Sequence, residues 1–225
     1  MSRWLFGIVF VAGVCVATAC GDGQLHAAPA GAATGQQPAM GGMQAQDPAP
    51  RAPVQHTAAF TAKGELQRPR GYRRWVYVGA PLTPNDMNNG KAAFPEFHSV
   101  YIDPTSYEHY KRHGVWRDGT MVVKELVSVG GKAATSGAGY FMGEFLGVEV
   151  ALKDATRFPK EPGNWGYFRF TDEAGGAPHQ TATLMPSAAC AACHAAAAAQ
   201  DLVFTQYYPV LRAAKNVGAK EPEDS

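Results

Sequence analysis

The sequence predicts a mainly β (α+β) domain: an antiparallel β-sheet with short helices and a helix at the C-terminal end. Two observations carry that reading. Between residues 72 and 172 the apolar residues come in short runs rich in Val, Phe, Tyr and Trp, closed by Gly, Pro, Asn or Asp, the pattern of successive strands and turns. Helical signals are confined to one short capped segment and to the alanine-rich stretch that follows residue 186.

Taken in order, "YRRWVYVG" (72–79) reads as a first strand, closed by Gly and Pro, and "PLTPNDMNNGKAAFP" as a loop. "EFHSVYI" (96–102) is a second strand. "DPTSYEHYKRHG" is a short helix, with Asp103 as N-cap, Pro104 in the first turn and Gly114 at the end. "GTMVVKELVSVG" (119–130) is a third strand. "GYFMGEFLGVEVALKD" (139–154) is a long fourth, with bends or bulges expected at Gly143 and Gly147. "NWGYFRFTD" (164–172) is a fifth. The last helix starts at "CAACH", runs through Ala195 to Ala199, and continues toward "DLVFTQYYPVLRAA", where Pro209 breaks or restarts it.

At 225 residues the chain suits one sizeable domain with appendages. A formal charge of +1 and a pI near 7.7 give no footprint for nucleic acid, and no block of like charge suggests a docking tail. Residues 1–19 read as a secretory signal peptide: basic Arg3, an apolar run from Trp4 to Val16, then small residues. Cys20 follows "ATA", so two routes are open: ordinary cleavage, or lipidation of Cys20 as in bacterial lipoproteins, with Ala17 in place of the usual Leu. Residues 20–59 are rich in Ala, Gly, Pro and Gln and read as a disordered tether, because they bury too little apolar surface to offset ordering. Met40 and Met43 are incidental there rather than a copper site, as are His26 and His56. The domain proper is expected over residues 60–220.

Cys15 leaves with the signal and Cys20 sits at the processing point, so Cys190 and Cys193 are the cysteines of the domain. With His194 they spell C-x-x-C-H, the attachment sequence of a c-type haem. Two thioethers would come from the cysteines and the proximal iron ligand from His194. Such a haem is attached outside the cytoplasm, so the signal peptide and the motif support each other and the periplasm is the expected location. Class I cytochromes c carry the motif early in a helical chain, and cytochromes c′ carry it after long helices. Strands precede it here, which disfavours both.

That order, with "FPEFHSVYIDP", "DGTMVVKELVSVG", "GYFMGEFLGVEVALKD", "EPGNWGYFRF", "CAACH" and "VFTQYYPVLRAAK", resembles the cytochrome P-460 family from about Tyr72 to Lys215. The resemblance implies a periplasmic homodimer of mainly antiparallel β fold with one haem c per subunit. It implies oxidation of hydroxylamine, with nitric oxide as intermediate or co-substrate, and a soluble redox acceptor such as a cytochrome c. A related branch, the β-type cytochromes c′, shares the fold and binds nitric oxide without that oxidation.

In "TMVVKELVS" the alternation puts Val122, Lys124 and Leu126 on one face and Val123, Glu125 and Val127 on the other. A lysine between aliphatics on a buried face is unusual, and burial favours the neutral amine a nucleophile needs. The alternatives are a lysine that snorkels to water or pairs with a glutamate. By resemblance, Lys124 matches the strand lysine that P-460 enzymes join covalently to the haem.

Removing protons from hydroxylamine needs a base. Glu149 matches the family's pocket carboxylate, and Glu144 is the reserve. The two lie on opposite faces of their strand unless a bulge at Gly147 changes the register. His98, on a face with Val100 and Ile102, is a polar distal candidate or a core histidine. Phe97, Phe141 and Phe145 are candidates to cap the distal face, or core aromatics. His109, His113 and His179 read as surface residues. Met185 as a sixth ligand would instead make an electron-transfer cytochrome, closed to substrate.

Overall fold

The computed structural model describes residues 56–172 and 176–217. The readings of residues 1–55, including Cys15, Cys20, His26, Met40 and Met43, lie outside them. In chain order the strands and helices are β1 (Leu66–Gln67), β2 (Val76–Gly79), β3 (Phe97–Ile102), α1 (Pro104–His113), β4 (Met121–Val129), β5 (Ala133–Ala134), β6 (Gly137–Ala138), β7 (Met142–Lys153), β8 (Trp165–Arg169), β9 (Thr181–Ala182), α2 (Ser187–Ala197) and α3 (Pro209–Val217). Five of them form one antiparallel sheet in the order β2-β3-β4-β7-β8; β1 pairs with β9, and β5 with β6.

The sheet follows from the alternating runs, and its differences from the expected boundaries have local causes. Gly71, at φ 70°, turns the chain so that Tyr72–Arg74 form a 3-10 turn, and the strand expected over 72–79 begins only at Val76, as β2. The small β5–β6 hairpin fills the gap between the expected third and fourth strands, and Gly130 N still donates to the Phe141 carbonyl at 2.8 Å across it. Helix α1 is as its sequence says. The buried Asp103 caps it by accepting from Ser106 N at 2.8 Å, and its other oxygen accepts from Met121 N at 2.9 Å, tying the helix start to β4. Gly114, at φ 69°, ends it. Helix α2 stops at Ala197 instead of running on. The chain then turns at Asp201 and Leu202, makes a 3-10 turn at Thr205–Tyr207, and restarts a helix at Pro209.

Alternation gives the sheet two apolar faces. On one, Met121, Val123, Val148, Val150, Phe168 and Phe170 pack with Leu66, Tyr72, Trp75, Phe158 and Ala182. On the other, Val78, Val100, Ile102 and Tyr167 meet residues of α1, α2 and α3, among them Tyr110, Ala191, Leu211 and Ala214. Phe60, ahead of β1, packs edge-on to Phe168 at 6.4 Å between ring centroids. The helix-covered face encloses a cavity.

Candidate functional site

The cavity occupies about 280 Å³ between the helix-covered face of the sheet, α2 and the segment from Leu202 to Phe204. Its wall on the sheet is a product of strand register. Val100 on β3 pairs with Lys124 on β4, Lys124 with Glu149 on β7, and Glu149 with Arg169 on β8. One row of side chains therefore crosses four strands on the cavity face. The next row, Ile102, Val122, Ala151 and Tyr167, is apolar but for the tyrosine hydroxyl.

Lys124 is the lysine that pairs with a glutamate. Its Nζ lies 2.6 Å from Glu149 Oε2 and 5.3 Å from the centroid of the Phe94 ring. Arg169 Nε donates to the other carboxylate oxygen at 3.2 Å. Burial alone would push the Glu149 carboxyl up, but Lys124 and Arg169 outweigh it and hold it below its ordinary range. His98 also reaches the cavity. Its Nε2 is 3.4 Å from Glu96 Oε1 and its ring stands edge-on to Phe94 at 5.7 Å. Burial, then the Lys124 charge, push its pKa down, so the neutral imidazole is favoured.

Helix α2 supplies the opposite chemistry. Cys190, Cys193 and His194, at i, i+3 and i+4, share one helix face, and all three line the cavity. Both cysteines are free thiols, not a disulfide. Burial, with Glu149 nearby, pushes the Cys190 thiol up. His194 Nδ1 donates to the Leu202 carbonyl at 2.7 Å, which fixes the tautomer and leaves the Nε2 lone pair as the ring's ligating atom. The imidazole stands between Tyr167 and Phe204, at 4.9 and 4.7 Å between centroids, and burial pushes its pKa down.

Several expectations about the cavity need correction. Glu144 is exposed and does not line it. It sits near the exposed start of β7, beyond an extra residue at Leu146 between the pairs Leu126–Gly147 and Val127–Phe145, and its backbone N donates to the Ser128 hydroxyl at 2.8 Å. None of Phe97, Phe141 and Phe145 lines the cavity. Phe97 shares parity with Ser99 and Tyr101, on the sheet face away from His98, and Phe145 packs in the opposite core. The aromatics that do line it are Phe94, in the loop before β3, together with Trp165, Tyr167, Phe204 and Tyr208. Met185 lines it too. His113 and His179 are exposed, and the His109 ring lies tilted against His113 at 4.5 Å between centroids.

Sequence reasoning missed Arg169, Phe94, Tyr167 and Leu202. The first and third carried a signal, since period-2 alternation in "WGYFR" puts Trp165, Tyr167 and Arg169 on one face. Phe94 and Leu202 belong to loops and carried none.

Among the described residues no group of three or more His, Cys, Asp or Glu converges to hold a bare metal ion. One imidazole with a free Nε2 suits a metal that brings its other equatorial ligands with it. Two thiols on the same helix face, and a wall dominated by aliphatic and aromatic groups, suit a large planar apolar group. Tyr167 adds a third indication: its hydroxyl is buried on that wall with no hydrogen-bond partner among the described residues. The donor set fits a haem, and fold and site together define a β-sheet haem-pocket protein. The family model described as Cytochrome P460 matches residues 69–205, and the chain belongs to that haem-binding family, which is associated with haem-dependent redox activity. No curated protein matches the chain significantly.

Proposed function

We propose that this chain is a periplasmic enzyme carrying one haem c, and that it oxidises hydroxylamine to nitrous oxide or a related nitrogen oxide, with nitric oxide as intermediate or co-substrate. The observation that supports this best is the Lys124–Glu149–Arg169 row on the wall of the cavity that also receives Cys190, Cys193 and His194. A pocket that only captured a gas would need no charged triad.

Cys190 and Cys193 would hold the haem by thioethers, His194 Nε2 would ligate its iron, and Lys124 would join the macrocycle covalently. When bound, the haem supplies the redox centre that takes electrons from the substrate and passes them to a soluble acceptor such as a cytochrome c. The chain's own groups handle protons and access. Glu149 is the proton acceptor: a carboxylate kept ionised by two cations can take a proton while Arg169 retains a counter-charge beside it. Removing the Lys124 charge by the covalent bond would relieve one of those cations and make Glu149 a stronger base. His98, favoured in its neutral form, is a second polar group on the wall and can relay a proton. Phe94 covers Lys124 and His98 and limits water there. A homodimer, a signal peptide over residues 1–19 and a choice between free and lipidated Cys20 complete the proposal.

Anaerobic turnover with hydroxylamine and an artificial oxidant tests it. The proposal expects a nitrogen oxide product and a rate that falls in Glu149→Ala. Tight nitric oxide binding with no hydroxylamine turnover would make the chain a β-type cytochrome c′ instead.

A further inference from the structure

The turn that follows α2 is built against its own residues. Gln200 and Val203 face each other as an isolated antiparallel bridge, with Val203 N donating to Gln200 O at 2.9 Å. The two residues between them, Asp201 and Leu202, both have positive φ, 46° and 60°. Paired positive φ values in a two-residue turn are the signature of type I′, which Asn-Gly or Asp-Gly fills without strain. Aspartate tolerates the left-handed region because its side chain bonds locally. Leucine at the second position pays a steric penalty that glycine would not. A strained residue persists only where its surroundings over-determine it.

Those surroundings are specific. Lys153, at the end of β7, holds Asp201 with Nζ at 3.0 Å from Oδ2 and 3.2 Å from Oδ1, and its side chain is only 15% exposed. The same ammonium donates to the Gly163 carbonyl at 2.7 Å and lies 5.5 Å from the Trp165 ring centroid. Trp165 Nε1 donates to Asp201 Oδ1 at 3.4 Å. Gly163 has positive φ, 58°, and a Cβ there would stand 3.1 Å from Asp201 Oδ1, from Leu202 Cδ1 and from Trp165 Cδ1 alike. The turn is therefore seated on a glycine: a side chain there would be strained at that φ and would press on Asp201, Leu202 and Trp165 by a few tenths of an ångström. What this fixed turn presents is the Leu202 carbonyl, 2.7 Å from His194 Nδ1, and the Leu202 side chain on the cavity wall.

We propose that the Asp201–Leu202 turn, pinned by Lys153 and Trp165 and seated on Gly163, is a clamp that holds the Leu202 carbonyl on His194 and so sets the donor strength of that imidazole toward iron. A firm acceptor on Nδ1–H gives the ring partial imidazolate character and strengthens its donation through Nε2. Asp201 and Lys153 are positioning residues. They touch neither the cofactor nor the substrate, and act through a backbone carbonyl. At the strained position the leucine side chain forms cavity wall while its backbone carbonyl makes the bond.

The inference rests on His194 as the iron's protein ligand, and its test separates the two. In the reduced haem-loaded protein, resonance Raman should show an iron–histidine stretching band in the wild type. Asp201→Asn and Lys153→Met should each move that band to lower frequency and raise the reduction potential, since a weaker donor favours the ferrous state. The double variant should move them no further than either single one, because both remove the same pin. Lys153→Arg, which keeps the ion pair, should return most of the shift. Lys111→Met, on the far surface ion pair of α1, should leave band and potential alone. A wild-type protein without the band overturns the ligand assignment and the clamp with it. A wild-type band that none of the Asp201 and Lys153 variants moves, in protein that retains its haem spectrum, overturns the clamp alone.

Discussion

The two faces of the central sheet each carry a largely buried carboxylate, and the two are handled differently. Glu125 and Lys124 are neighbours on β4 and point to opposite faces. Glu125 accepts from the Tyr72 hydroxyl at 2.6 Å and from Arg73 Nε at 2.6 Å, packed beside Tyr101 and closed off by the core around Val123 and Val148. Glu149, on the other face, is also held by two partners, but both it and its partners line a cavity. The same residue type serves structure where its partners seal it, and can serve chemistry where its partners leave it facing open space.

The contrast breaks most visibly in turnover. Glu149→Ala is expected to lower hydroxylamine oxidation by on the order of 10²-fold or more, the usual worth of a positioned base, measured as initial rate with an artificial oxidant. Glu125→Gln should leave the rate of the folded protein unchanged and destabilise it by about 2 kcal/mol, read from urea unfolding. Most of that cost comes from Tyr72, whose phenol loses a charged acceptor in the core. The Arg73 side chain is 64% exposed, so its half of the ion pair is screened by water and contributes little.

A smaller effect sharpens the comparison through pH. The Glu149 carboxyl is held below its ordinary value in the folded state, so its contribution to stability is fully present above the unfolded carboxylate range. That contribution is lost as pH falls through the lowered folded value. The stability difference between wild type and Glu149→Gln should therefore shrink on acidification from neutral pH, followed by urea unfolding at several pH values. Smallest of all, Lys111→Met removes an exposed pair with Glu108 in α1, 3.2 Å apart, and should change stability by no more than about 0.5 kcal/mol.

What could be read from the sequence follows the range of the interactions involved. Helix α1 was legible to its caps because Asp103, Pro104 and Gly114 act within a few residues of themselves. The strands and the split of Lys124 from Glu125 were legible because alternation is local. The pairing of Lys124 with Glu149 and of Glu149 with Arg169 was not. Register depends on where the extra residue at Leu146 falls, which the glycines at 143 and 147 bracket without fixing. The alanine run misled by promising a longer helix. Its end is set by the bonds that fix Asp201 and Leu202, to Lys153 and to His194, and those come from distant strands and from the helix itself. The C-x-x-C-H motif marks the residues that would anchor the cofactor, while the residues that would decide its chemistry sit on strands well upstream.

The central claim is that Lys124 belongs to the haem and is more than a counter-ion to Glu149. A tryptic digest of the haem-loaded protein, followed by mass spectrometry, tests it most directly. The account predicts that the peptide containing Lys124 is found joined to the haem peptide that carries Cys190 and Cys193. A Lys124 peptide recovered free, beside an intact haem peptide, would contradict it.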